Sequence, residues 1–219
     1  MTVHSSEHPE RELAERLVRE LEAMPQATVA LSGGSTPRTL FRVLASGYAD
    51  HIDWSRVTVF QVDERMVPPD HIDSNWRMIR EELLSKVRVG EACRMRAEQP
   101  AAAEEYEKLV RDHAESGDDS IPQIDIVLLG MGKDGHTASL FPQSPALDES
   151  QKLVVRTEAP SLGTERITLT FPLINVARHK FFLVRGSDKA EAFRRTQEGE
   201  TPAGRVTDAE WYVDPPVVS

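Results

Sequence analysis

His136 stands in residues 125–142, DIVLLGMGKDGHTASLFP, where an apolar run containing Ile126, Val127, Leu128 and Leu129 breaks into Gly130, Gly132 and Gly135. The apolar run has the composition of a strand buried on both faces, and the glycines let the backbone turn sharply and approach a ligand closely. A loop just beyond the carboxyl end of such a strand is where open α/β sheets hold their ligands. Imidazole both takes and gives a proton near neutrality, so His136 is the candidate general acid and base. The plainer role, a histidine that only ties the loop down by hydrogen bonds, fits the glycine-rich setting less well.

Two further strand ends carry candidate groups. SGGSTP, residues 32–37, would direct the backbone N–H groups of Gly33, Gly34 and Ser35 and the hydroxyls of Ser35 and Thr36 at an anion, at the start of the following helix. The motif is neither a Walker A loop nor a dinucleotide fingerprint. Asp63, Glu64 and Arg65 follow an apolar run directly; Arg65 offers a planar fork of donors, and Asp63 could orient it or the imidazole. Arg166 and Lys189 also lie beside strand ends and suggest a phosphate clamp. Asp63, His71 and Asp73 form a weak metal set, with no second histidine at helical spacing, and no metal is expected. Arg77 and Arg80 read as solvated charges on a helix face.

The elements that must position these groups follow from periodicity. Helical stripes run over 10–24, from about 40 to 44, over 75–87 with Asp73 or Ser74 as cap, and over 101–113. Strand-like runs cover 28–31, 57–62, 124–129, 153–156, 166–170, 181–184 and 210–213, with another helix starting near Asp188. DERMVPPDHIDSN reads as a connection after the second strand, and SGDDSIPQ, residues 116–123, as a polar surface turn. Alternation of strands and helices without a linker or repeat predicts one α/β domain over 1–219, a mostly parallel sheet with helices on both faces.

Lys and Arg number 26 against 36 Asp and Glu, a formal net charge of −10 that disfavours nucleic acid and anionic membranes as partners. Any anionic ligand must then be held by a few local cations. Cys93 is the single cysteine, so an intrachain disulfide and a cysteine-based zinc site are both expected to be excluded. The amino-terminal residues lack a basic segment followed by an apolar core, and no eighteen-residue apolar stretch occurs, so a cytoplasmic location is expected. Oligomeric state is open, with a monomer acceptable.

GGSTP, VDERxVPxxxxxSN, GMGxDGHTASLFP and RITLTxPxxN followed by FLVxGxxKA, in this order over about residues 28–193, resemble the short bacterial type of 6-phosphogluconolactonase. The resemblance implies a Rossmann-like fold shared with glucosamine-6-phosphate isomerases. It also implies cofactor-free, metal-free hydrolysis of 6-phospho-D-glucono-1,5-lactone to 6-phospho-D-gluconate in the oxidative pentose phosphate pathway, with a phosphorylated sugar lactone as the partner. On that pattern His136 transfers the proton, Asp63 and Arg65 belong to the catalytic end, and Gly33, Gly34, Ser35, Thr36, Arg166 and Lys189 hold the phosphate. The alternatives are an amino-sugar-phosphate isomerase or deaminase and a non-catalytic sugar-phosphate sensor. The isomerase is disfavoured because Phe141 precedes Pro142 where that family usually carries Glu. The chain departs from the lactonase pattern in its tail, where Pro215 and Pro216 follow Asp214.

Overall fold

The computed structural model describes residues 1–116, 121–160 and 163–218. In chain order the elements are β1 (Thr2–Ser5), α1 (Pro9–Ala23), β2 (Ala27–Leu31), α2 (Ser35–Gly47), β3 (Val57–Gln61), β4 (Asp63–Arg65), α3 (Asn75–Ile79) and β5 (Glu91–Ala92). They continue with α4 (Ala102–His113), β6 (Glu115–Ser116), β7 (Pro122–Gln123), β8 (Ile126–Leu129), β9 (Val154–Ala159), β10 (Thr164–Leu169), α5 (Phe171–Val176), β11 (His179–Val184), α6 (Ala190–Gln197), β12 (Glu210–Val213) and α7 (Pro215–Val218).

Seven strands form a parallel sheet in the order β1-β12-β11-β8-β2-β3-β5. Alternation along each strand decides which helices it meets. Val29 and Leu31 of β2 with Ile126 and Leu128 of β8 pack under α1 and α2, while Ala30, Val127 and Leu129 face the cluster built on α4, α5 and α6. Both faces are thus covered by helices, as the apolar composition of the strands requires. From β2 the chain proceeds to β3 on one side and later returns to β8 on the other, so the connections diverge between β2 and β8. Such a switch point leaves a crevice at the carboxyl ends of the two strands.

A second, antiparallel sheet, β4-β10-β9, adjoins the first. Val62 is the joint: its N–H donates to Leu31 O at 3.0 Å, and its carbonyl accepts from Leu169 N at 2.9 Å. Residues 63–65, expected in a connection, are therefore a strand, paired with the strand that carries Arg166. Three residues are too few to show a period, and only the partner reveals the pairing. The edge strands β1 and β5 are missed for a similar reason, being short and largely exposed. The helix expected over 75–87 is α3 followed by a π-helical turn over Arg80–Leu84, with Ser74 Oγ accepting from Arg77 N as the cap. Half of the polar turn expected over 116–123, residues 117–120, lies outside the described residues, and its flanks pair as β6 and β7.

Phe182 on β11 stacks on Trp211 of β12 with ring centroids 3.7 Å apart, and both are fully buried. Phe182→Ala is expected to lower the unfolding free energy by about 3–5 kcal/mol, the range for truncating a buried aromatic. In urea melts this appears as a lower midpoint with the same slope.

Candidate active site

A cleft of about 430 Å³ opens at the carboxyl ends of the central strands. Gly33, Gly34, Ser35, Thr36, Asp63, Arg65, His136, Arg166 and Lys189, all singled out in the sequence, line it. The loops after β2 and β8 meet there across the switch point, and β4, β10 and the turn after β11 supply the remaining walls.

After β8 the chain folds into a tight loop: Gly135 N donates to Gly132 O at 3.1 Å and Gly132 N to His136 O at 2.8 Å. Gly135 has φ near +80°, and a Cβ there would meet Thr201 at 2.5 Å. At Gly132 a Cβ would lie 2.1 Å from His136 Nδ1, so the imidazole occupies the space a side chain would take. That nitrogen donates to Asp134 Oδ1 at 2.6 Å, and His136 N donates to the same oxygen at 3.1 Å. Phe141 covers the ring at a centroid distance of 4.5 Å. One ring nitrogen is thereby fixed as a donor, leaving Nε2 to exchange protons. Burial raises the Asp134 carboxyl, but the hydrogen bond and the charge of His136 outweigh it and bring it down to about 2.

Asp63, which also lines the cleft, is buried and fully engaged. Its Oδ2 accepts from Ser139 Oγ at 2.6 Å, its Oδ1 from Asn75 Nδ2 at 3.2 Å, and its carbonyl from the same Nδ2 at 2.9 Å. Asn75 packs so tightly on Gly33 that a Cβ there would lie 1.9 Å from its Oδ1. Glu64, next along β4, points away from the cleft and accepts from the backbone N–H groups of Asn75 and Trp76 at the start of α3. It holds the structure and does not face substrate.

Cations line the cleft in two groups. Arg65 and Arg166 are register partners on β4 and β10. The Nε of each is buried without a hydrogen-bond partner among the described residues. Burial, followed by repulsion from Arg65, lowers the Arg166 guanidinium below its ordinary range. Phe141 lies 6.0 Å from the Arg166 guanidinium carbon. Lys189, placed by the turn after β11, is also lowered by burial, with Lys133 nearby. In the loop after β2, Gly34 has φ +112° and α2 begins at Ser35 with no side-chain cap. The first-turn N–H groups of α2 therefore face the cleft as open donors. Ser32 Oγ, at the end of β2, is likewise buried without a partner.

The sequence reading missed several lining or supporting groups. Asp134, two residues before His136, carried a local signal, since Asp in such a turn bonds the chain two residues on. Lys133 and Ser139 belong to the loop of His136 itself, while Asn75 and Arg185 come from other parts of the chain. Lys133 pairs with Asp188 at 3.1 Å and Arg185 with Glu10 at 2.9 Å. Asp63, His71 and Asp73 do not assemble into a ligand set among the described residues. Arg77 and Arg80 pair with Glu81 and Asp70 at the surface. The unusual tail contributes directly: Asp214 accepts from Gly186 N at 3.0 Å, bracing the turn that carries Lys189.

An open parallel sheet with a histidine-bearing cleft at its switch point, lined by several cations, defines a class of α/β proteins built to hold a small anionic ligand. Within that class the chain belongs to the glucosamine-6-phosphate isomerase/6-phosphogluconolactonase family, whose model matches residues 4–213. It is 39% identical over 209 residues to 6-phosphogluconolactonase 3, chloroplastic, of Arabidopsis thaliana, covering 88% of this chain and 64% of that protein. The chain thus spans less than two thirds of the length of that chloroplastic relative. It is 41% identical over 184 residues to 6-phosphogluconolactonase of Synechocystis sp., covering 81% and 74% of the two chains. The solved 6-phosphogluconolactonase of Thermotoga maritima superposes with a TM-score of 0.84 at 30% identity, over 97% of this chain and 99% of that one.

The Asp134–His136 pair has a measurable consequence for stability. A carboxyl held at about 2 when folded, against an ordinary 3.8, stabilises the fold fully above about pH 5 and loses that contribution as pH falls toward 2. With the Asp134 side chain 51% exposed, solvent screening keeps the contribution below about 1 kcal/mol. Urea melts of the parent and Asp134→Asn between pH 5 and 2.5 should show a difference that is largest at pH 5 and shrinks with acidification.

Proposed function

We propose that the chain hydrolyses 6-phospho-D-glucono-1,5-lactone to 6-phospho-D-gluconate, the lactonase step of the oxidative pentose phosphate pathway, as one domain acting without metal or cofactor in the cytoplasm. The observation that carries this reading is the imidazole of His136, fixed at Nδ1 by Asp134, opening on a cleft that Arg65 and Arg166 also line, each with a buried Nε that has no partner among the described residues. The names of the relatives point the same way.

The lactone needs an activated water, a stabilised oxyanion and a proton for the leaving ring oxygen. His136 Nε2 takes a proton from water as the water oxygen bonds to the lactone carbonyl carbon. The carbonyl π electrons move to its oxygen, giving a tetrahedral oxyanion beside cationic and N–H donors. When the bond between that carbon and the ring oxygen breaks, the same Nε2–H delivers the proton to the ring oxygen. The carboxylic acid then ionises in water. Asp134 holds the ring and stabilises the imidazolium formed midway. The GGST loop, Arg166 and Lys189 anchor the phosphate, while Asp63 and Arg65 stand at the catalytic end. Such cations let a chain of net charge −10 bind an anion.

Isomerase or deaminase chemistry on an amino-sugar phosphate is the second reading. Phe141 weighs against it, because its ring covers His136 where a carboxylate partner for ring opening would be wanted. A non-catalytic sensor is less consistent with a histidine already held for proton transfer.

Purified protein should speed 6-phosphogluconolactone hydrolysis above the spontaneous rate, unchanged by chelator, with no ammonia released from glucosamine 6-phosphate. His136→Ala should lower kcat by about a hundredfold or more with a smaller change in KM. Lys189→Ala or Arg166→Ala should weaken 6-phosphogluconate binding by about 1.5–3 kcal/mol and leave unphosphorylated gluconate nearly unaffected. Equal losses for the two ligands would place these cations at the carboxylate end.

A further inference from the structure

Away from the cleft, the edge strand β5 and the end of α4 bring together three side chains of metal-binding type. Glu91 and Cys93 are two residues apart along an extended chain and so share a face. Cys93 N donates to Val59 O at 2.8 Å, fixing that segment to β3. His113, the last residue of α4, lies over them, with its Nε2 2.9 Å from Glu91 Oε2. One ligand atom from each of the three residues lies within 4.8 Å of the other two.

The imidazole is prepared in the manner of a metal ligand. Its Nδ1 donates to the Leu109 carbonyl at 2.8 Å, which leaves Nε2, directed at Glu91, as the nitrogen that can give up its proton to a metal. Phe60 packs edge-on against the ring, with centroids 6.3 Å apart, limiting its rotation. Cys93 is buried while the Glu91 side chain is about half exposed, so an ion would reach the sulfur from solvent past the carboxylate. Metal–ligand distances of about 2.0–2.3 Å put tetrahedral ligand atoms roughly 3.3–3.7 Å apart, so small side-chain rotations suffice.

We propose that Glu91, Cys93 and His113 bind a zinc-type divalent cation that clips the edge strand to the end of α4. Thiolate, imidazole and carboxylate together suit a borderline-soft ion, and hard ions such as Mg²⁺ fit this donor set poorly. Binding releases two protons to solvent, the thiol proton of Cys93 as the sulfur–metal bond forms and the proton that Nε2 of His113 shares with Glu91 as the nitrogen–metal bond forms, and water completes four ligands. The sequence reading excludes a cysteine-based zinc site because there is a single cysteine; the fold adds Glu91 from the same extended segment and His113 from a distant helix. None of the three residues lines the cleft, so the site stands whether or not the lactonase reading holds.

The test uses the reduced full chain, freed of metal, titrated with ZnCl₂ against a chromophoric competitor and separately with CoCl₂. One zinc equivalent should bind, with affinity at least about tenfold weaker in Cys93→Ser and in His113→Gln. The Co²⁺ protein should show an intense near-ultraviolet thiolate charge-transfer band. Zinc binding that neither substitution alters, or a Co²⁺ protein without that band, overturns the proposal. The cobalt spectrum is read on the unaltered chain, so the test survives a variant that fails to fold.

Discussion

The buried carboxylate of Glu64 accepts from Gln61 Nε2 at 2.9 Å, Ser74 Oγ at 3.0 Å, and the backbone N–H groups of Arg65, Asn75 and Trp76 at 2.7–2.8 Å. These five bonds tie the end of the parallel sheet, the start of the second sheet and the N-terminus of α3 to one charge. Its position at the helix N-terminus is the one that dipole and open N–H groups favour for an anion. Because Glu64 faces inward, its neighbours along β4 face the other way: Asp63 and Arg65 both line the cleft. The fixed start of α3 in turn places Asn75 against Gly33 and Asp63, linking the loop after β2 to the strand beside it. A buried charge so fully bonded resists replacement, since removing any partner leaves part of it unsatisfied.

Electrostatics in the cleft run against the balance of the whole chain. An overall charge of −10 repels phosphorylated ligands at long range, yet at short range the field is set by Arg65, Arg166 and Lys189. Arg65 and Arg166 are register partners across the antiparallel pair, and burial first, then repulsion from Arg65, lowers the Arg166 guanidinium. Each buried Nε is a donor that an anionic group of a ligand would satisfy. The carboxylates nearby are kept out of competition because each already has a partner: Asp63 with Ser139 and Asn75, Asp134 with His136, and Asp188 with Lys133.

Much of this was legible in the chain itself. Apolar runs without alternation declared strands buried on both faces, and their spacing with helical stripes declared a parallel sheet between helix layers. The residues at strand ends, His136, Asp63, Arg65 and the loop Gly33–Thr36, could be picked out because a parallel sheet places all its carboxyl ends on one side, where local position suffices to predict proximity. Asp134 was within reach for the same reason, being part of the histidine's own turn.

Tertiary structure decided what depends on pairing between distant segments. That residues 63–65 form a strand, with Arg65 beside Arg166, follows from register with β10, which three residues cannot encode locally. Asn75, Ser139 and Asp214 acquire roles only through side chains or backbone groups supplied elsewhere in the chain. The division between Asp63 and Glu64, adjacent carboxylates of like chemistry, is the sharpest case: one faces the cleft and the other anchors a helix, because successive side chains along a strand point to opposite sides. Sequence by itself determined which side of the sheet carries the site, since periodicity is a local property. Only the folded chain decided which charges meet there, since contact between remote residues is not.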